Sequence, residues 1–195
     1  MDGDLQALLR ELEAIGEQND ATVTERPRRL LNITRDTGEF LAVLVAATQA
    51  TAILEIGTSN GYSTLWLAHA ARATGGRVTT VERAPYKIGL AAANFARSGV
   101  GERIRQVEGD AGKVLADVGD ESVDFIFLDS ERTEYAGWWP DLRRVLKRGG
   151  LLVVDNATSH PAEMAPLVAL VEADAGFSTC LVPVGKGEFM ATRLA

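Results

Sequence analysis

From residue 52 onward the chain alternates short strand-like runs with amphipathic stretches, and few architectures accept that order. The runs are AILEIG (52–57), RVTTVE (77–82), RIRQVEG (103–109), VDFIFLD (123–129) and LLVVDN (151–156). Helical stretches lie between them. One starts near Gly61 and stops at Gly75-Gly76, and one starts near Pro85, a residue suited to a first helical turn, and stops near Gly99. A third runs from about Glu134 to Lys147 and ends at Gly149-Gly150, with Pro140 as a possible kink. Such alternation predicts an α/β fold built on a single doubly wound, mostly parallel sheet. The tail differs: FSTCLVPV and EFMATRL flank Gly185-Lys186-Gly187 and predict an antiparallel hairpin on one sheet edge.

Ahead of this core, Leu5, Leu8, Leu9, Leu12 and Ile15 recur at three- and four-residue steps. That is one face of an amphipathic helix, placed to dock on the domain or on a second subunit, so a homodimer is one expectation. A second helix is predicted from about Thr34 to Thr48, with Phe40, Leu41, Leu44 and Val45 on its apolar face. The 195 residues therefore read as one domain: helices over 1–50 and the α/β core over 51–195.

Composition narrows the partners. A formal net charge of -7 disfavours nucleic acid, whose phosphates need a basic face. The apolar runs are too short to span a membrane. The acidic start, MDGDLQALLR, lacks the order of a signal peptide, and the one cysteine, Cys180, permits no internal disulfide. The expectation is a cytoplasmic protein with a small-molecule ligand. Cys180 lies in an apolar run and is expected to pack as a small hydrophobe.

The first strand feeds ILEIGTSNGYST, a glycine loop that opens a helix. In a doubly wound sheet a ligand lies beyond the C-terminal strand ends, where strand order reverses. Gly57 permits a sharp turn, and Gly61 permits close backbone approach. Three templates compete. The dinucleotide pattern G-x-G-x-x-G fails, because Gly57, Ser59 and Gly61 spell G-x-S-x-G. That string is also a nucleophile elbow, with Asp155 and His160 following Ser59 in the order of a serine hydrolase. Against it, the strand carrying Ser59 comes first in the unit, and no HGGG-like oxyanion loop is present. The third template, E-x-G-x-x-x-G, is an S-adenosylmethionine loop and is met by Glu55, Gly57 and Gly61. The next strand ends in Glu82, 21 residues after Gly61, where a carboxylate accepts ribose hydroxyls. The third ends in Gly109-Asp110-Ala111, beside a place for adenine. The plain alternative is a solvated strand end at Glu82 and a turn at Gly109-Asp110.

The fourth and fifth strands end in Asp129 and in Asp155-Asn156. As neighbours they would bring two carboxylates and an amide oxygen together, a donor set for a hard cation such as Mg²⁺, Mn²⁺ or Ca²⁺. The competing reading is that these are turn formers and helix caps.

These segments resemble the cation-dependent O-methyltransferases, the group of catechol and caffeoyl-CoA O-methyltransferases and their bacterial relatives. The resemblance rests on TGEFLAVLV, LEIGTSNGYSTLWLA, TTVER, GDA, FIFLDSERTEY, LLVVDN and LVPVGKGEFMATR, over roughly residues 30 to 195. It implies a Rossmann-like class I methyltransferase fold. It also implies transfer of a methyl group from S-adenosylmethionine to a hydroxyl of a small phenolic or catechol-like acceptor, assisted by a divalent cation. Ile33, Glu55 and Ser63 would border the methionine part of the cofactor, Ser59 and Tyr62 would also contact the cofactor, and Gly57 and Gly61 would allow its approach. Glu82 would take the ribose, Asp110 and Ala111 the adenine. Asp129, Asp155 and Asn156 would hold the metal, with Asp129 also at the cofactor's edge.

Two departures stand out. The family's base is a lysine three residues after the first metal aspartate, and here that place is Arg132, which does not lose its proton in practice. His160, four residues after Asn156, either takes over as base or simply precedes a helix in solvent. The segment after Asn156, ATSHPAEMAPLV, is also shorter than the family's acceptor-covering loop. Two alternatives follow: a metal-independent methyltransferase acting on another small molecule, and a cofactor-binding relative without activity. No Asn-Pro-Pro-Tyr-like segment points to nucleic-acid bases. His69, Trp138 and Trp139 read as helix packing residues.

Overall fold

The computed structural model describes residues 1–194. Seven helices and seven strands alternate along the chain: α1 (Gly3–Thr22), α2 (Arg35–Ala47), β1 (Ala52–Ile56), α3 (Tyr62–Thr74), β2 (Arg77–Glu82), α4 (Pro85–Arg97), β3 (Ile104–Glu108), α5 (Ala111–Asp117), β4 (Val123–Leu128), α6 (Tyr135–Val145), β5 (Leu146–Val154), α7 (Pro161–Glu172), β6 (Phe177–Val182) and β7 (Glu188–Arg193). The strands form one sheet in the order β3-β2-β1-β4-β5-β7-β6. β1 to β5 are mutually parallel, while β7 runs antiparallel to β5 and β6 antiparallel to β7. The predicted doubly wound sheet and its edge hairpin are therefore both present. Strand order reverses between β1 and β4, which opens a crevice at their C-terminal ends.

β4 shows why its run is apolar throughout. Phe125 and Phe127 enter the core under α1 to α4, while Ile126 and Leu128 enter the core under α5 to α7. A strand covered on both faces has no polar phase to alternate with. α1 docks on the domain itself: Leu5, Leu8, Leu9 and Leu12 are buried in the first core. Ile15, assigned to that face from spacing, is exposed, and the buried position is Gly16, which packs on Asn32. In α2 the buried stripe is Thr37, Gly38, Leu41 and Val45.

Two sequence expectations need correction. The sixth helix stops at Val145, and residues 146–150 belong to β5. Leu146 pairs with Val123, the register then shifts, and Gly149 at φ 76° takes up the irregularity. The two glycines thus mark a bulge within a strand. Cys180 is exposed and does not pack inside, because β6 is the edge strand and turns that position outward. Among the described residues no helix is long and apolar enough to cross a membrane.

Glu55 binds three elements together. Fully buried on β1, it accepts hydrogen bonds from Ser63 Oγ at 2.6 Å, from Thr64 Oγ1 and from Thr80 Oγ1 at 2.6 Å. Burial outweighs those donors and pushes its carboxyl from 4.5 to about 7. The folded chain then keeps a proton that the unfolded chain releases, so stability falls as pH rises between those values. Denaturation at pH 5 and pH 8 should show a larger loss for the wild type than for Glu55→Gln, by a difference on the order of 3 kcal/mol. Equal losses would show that Glu55 stays ionised in its pocket.

Gly57 and Gly75 allow a matched comparison. Both have positive φ, 108° and 73°. A Cβ on Gly57 would penetrate the Asp129 carbonyl, whereas one on Gly75 would meet nothing within 4 Å. Gly75→Ala should cost about 1 kcal/mol in urea denaturation, the left-handed penalty alone. Gly57→Ala should cost at least about 3 kcal/mol, because two backbones must part.

Candidate active site

Backbone hydrogen bonds fasten the strand ends to one another. Gly109 N–H donates to Glu82 O at 2.9 Å, Gly57 N–H to Val81 O at 3.0 Å, Asp129 N–H to Ile56 O at 3.0 Å and Asp155 N–H to Leu128 O at 3.0 Å. These four bonds place Asp110, Glu82, Gly57, Asp129 and Asp155 along one rim. The cleft at its centre is lined by Leu30–Ile33, Gly57–Asn60, Tyr62, Ser63 and Asp129, and its enclosed part measures about 10 Å³.

The loop glycines serve the protein's own packing first. Gly57 lies against the backbone of Asp129, and Gly61, at φ 89°, lies under the Phe95 ring. Ser59, at φ 47°, donates its backbone N–H to Glu82 Oε2 at 3.0 Å and its hydroxyl to Leu30 O at 2.7 Å. That hydroxyl is spent on a carbonyl, and the nucleophile-elbow reading finds no base beside it. Glu82 also accepts from Arg83 and Ala84 N–H, each at 3.0 Å, and so ties the glycine loop to the start of α4. The ring of Tyr62 is buried, and its hydroxyl donates to Glu13 Oε1 at 2.6 Å. Ile33 and Ser63 line the cleft, whereas Glu55 sits beneath it as the anchor described above. Asp110 is exposed and caps α5 by accepting from Lys113 N–H at 3.1 Å. Trp138, half-buried, stands over Gly112 beside Asp110 and Ala111; sequence spacing favoured helix packing over a substrate platform there.

At the other end of the rim, Asp155 and Asn156 are buried and Asp129 faces the cleft. Burial raises the Asp129 carboxyl well above its ordinary value and the Asp155 carboxyl above its own, and the charge of Asp155 adds to the rise at Asp129. Asp155 accepts from Asn156 N–H at 2.6 Å. Among the described residues no three His, Cys, Asp or Glu side chains are placed to hold a metal ion. A cation here would rest on two carboxylates and the Asn156 amide, with water or ligand oxygens completing its shell. That set fits a hard, partly hydrated dication.

Glu188 is the residue that sequence reading missed. Phe189 pairs with Val154, so Glu188 lies opposite Asp155 in the antiparallel register. It is fully buried, accepts from Thr37 Oγ1 at 3.2 Å, and its other oxygen has no donor among the described residues. Burial, and then the charge of Asp155, push it up to about 9. The available signal was an acid opening the apolar strand EFMATR.

Arg132 lies in the short turn Arg132–Glu134, only 8% exposed, with its Nε on Glu163 Oε2 at 2.7 Å. His160 precedes α7: its N–H donates to Asn156 O at 3.0 Å, and its Nδ1 lies 2.9 Å from Ser159 Oγ. The structure does not bring its ring to the cleft wall.

The model of a family described as O-methyltransferase matches residues 7–194. Catechol O-methyltransferase of Mycobacterium tuberculosis is 36% identical over 132 residues, which are 68% of this chain and 59% of that one. An O-methyltransferase from Bacillus cereus, solved in complex with SAH, superposes with a TM-score of 0.80 at 25% identity, covering 99% of this chain and 91% of that one. Cofactor-bound Rv0187 from MTB superposes with a TM-score of 0.80 at 26% identity, covering 99% and 90%. With a family match over nearly its whole length, this chain belongs to the O-methyltransferase family.

Proposed function

We propose that the chain transfers a methyl group from S-adenosylmethionine to a hydroxyl of a small phenolic or catechol-like acceptor, with a divalent cation, Mg²⁺ in the first instance, at Asp129, Asp155 and Asn156. The observation that carries this reading is the backbone ladder that sets Glu82, Gly57, Asp129 and Asp155 on one rim. When bound, the cofactor supplies an electrophilic sulfonium methyl, and the cation supplies a Lewis acid that stabilises an oxyanion.

The chain's own tasks are alignment and charge. Ile33 and Ser63, with the backbone of the glycine loop, border the methionine end. Glu82 has lone pairs left for ribose hydroxyls after accepting three backbone N–H groups. Asp110, Ala111 and Trp138 flank the adenine edge. Asp129 joins the two halves, since it lines the cofactor cleft and faces Asp155. Arg132, held by Glu163, attracts an anionic acceptor oxygen and offers no lone pair to a proton. That last feature favours a second reading, a relative that binds the cofactor without turnover.

Calorimetric titration with S-adenosylmethionine checks the cofactor half. Glu82→Ala should weaken binding by about 1.5–3 kcal/mol for each ribose hydrogen bond lost; unchanged affinity would move the ribose elsewhere. The acceptor half is checked on a catechol panel. Turnover should vanish in EDTA and return with Mg²⁺. Turnover that survives EDTA rejects the cation, and tight cofactor binding with no turnover on any acceptor favours the second reading.

A further inference from the structure

Two asparagines to which no role has been given, Asn32 and Asn60, line the same cleft. Each spends one end of its amide on backbone. Asn60 Oδ1 accepts from Tyr62 N–H at 3.3 Å, and Asn32 Nδ2 donates to Leu12 O of α1 at 3.0 Å. The other ends, Asn60 Nδ2 and Asn32 Oδ1, are buried and have no hydrogen-bond partner among the described residues. Asn60 as a whole is only 2% exposed. The backbone bonds also fix which amide atom is which. Turning Asn60 over would set donor against donor, and turning Asn32 over would set acceptor against acceptor. Two residues of one cleft wall thus hold one spare donor and one spare acceptor.

Both asparagines are held in place by other elements. Asn94 of α4 donates its Nδ2 to Asn60 O at 2.9 Å. Asn32 packs on Gly16 of α1, where a Cβ would come within 2.5 Å of its Nδ2. A buried polar atom left unpaired is costly, and folded chains keep few of them unless a ligand or water completes the set. Their neighbours indicate which ligand group does so. Asn32 precedes Ile33, and Asn60 lies three residues before Ser63. Ile33 and Ser63 are the side chains that border the methionine end of the cofactor in the proposed function, while ribose and adenine fall to Glu82 and Asp110. That methionine end carries an ammonium, a pure donor, and a carboxylate, a pure acceptor, on one carbon.

We propose that Asn32 and Asn60 form an amide clamp for the zwitterionic end of S-adenosylmethionine. The α-ammonium donates to Asn32 Oδ1, and the α-carboxylate accepts from Asn60 Nδ2. The inference rests on the cofactor reading of the proposed function and adds two binding residues to it. Because Asn32 is tied to Leu12, the clamp also makes the N-terminal helix α1 part of cofactor recognition. Both contacts are hydrogen bonds between a neutral amide and a charged group, the stronger kind.

The test is calorimetry with three ligands on wild type, Asn60→Ala and Asn32→Ala. The ligands are S-adenosylmethionine, its decarboxylated form, which keeps the ammonium, and 5′-methylthioadenosine, which lacks the whole amino-acid end. Asn60→Ala should weaken S-adenosylmethionine at least about tenfold, which corresponds to about 1.4 kcal/mol, and should leave the other two within about twofold of wild type. Asn32→Ala should weaken S-adenosylmethionine and its decarboxylated form alike, and again spare 5′-methylthioadenosine. Asn60→Asp keeps the shape and the acceptor for Tyr62 N–H but loses the donor; it replaces Asn60→Ala if that variant does not fold, and Asn32→Ser replaces Asn32→Ala on the same terms. Unchanged affinity for S-adenosylmethionine in the variants overturns the inference. So does an equal loss for 5′-methylthioadenosine, which would show that the asparagines only shape the loop. A wild type that binds neither S-adenosylmethionine nor 5′-methylthioadenosine rejects the cofactor reading together with this inference; a wild type that binds S-adenosylmethionine no better than its variants do rejects the inference alone.

Discussion

The contact on which the rest depends is between two backbones. At the end of β1, Gly57 turns at φ 108° directly against the carbonyl of Asp129 at the end of β4. A side chain at that point would push the two strand ends apart exactly where strand order reverses, and the crevice exists because they do not part. The glycine loop and the first aspartate thereby become two sides of one cleft. The pairing of β1 with both β2 and β4 then carries Glu82 to one flank and Asp155 to the other.

Around this contact the chain keeps its acids in different states. Glu55 lies in a buried pocket of three hydroxyls and holds the start of α3. Glu82 lies at the edge and accepts only backbone N–H groups, so the loop is tied down while lone pairs remain for a ligand. Asp129, Asp155 and Glu188 lie together at this end of the crevice, and burial raises all three carboxyls. The short turn after Asn156 is pinned to the hairpin by hydrogen bonds from Ala157, Thr158 and Ser159 to the carbonyls of Gly187 and Lys186.

Much of this was legible along the chain, and the misses have physical causes. The run VDFIFLD announces a strand covered on both faces, because hydrophobic residues at every position leave no side for water. Glu55, Gly57 and Gly61 announce a loop, and Asp129 and Asp155 announce where strands stop. Gly149 and Gly150 were misread as a helix end, since a glycine pair looks the same whether it caps a helix or absorbs a register shift. Cys180 looked internal because its run is apolar, but edge position is a property of the whole sheet. Glu188 gave little signal, because its partner lies 33 residues earlier, on a strand that pairs with it only after the hairpin folds back.

By itself the sequence determined the order of strands and helices, the residues at each strand end and the chemistry available there. Those follow from local periodicity, from glycine's reach into left-handed backbone and from the permanent charge of arginine. Only the tertiary structure decided which strand ends meet. It set Gly57 against Asp129, turned Ser59 toward Leu30, and brought Glu188 opposite Asp155. Each of those placements joins residues far apart in the chain, and local pattern carries no information about such pairs until the sheet has closed around them.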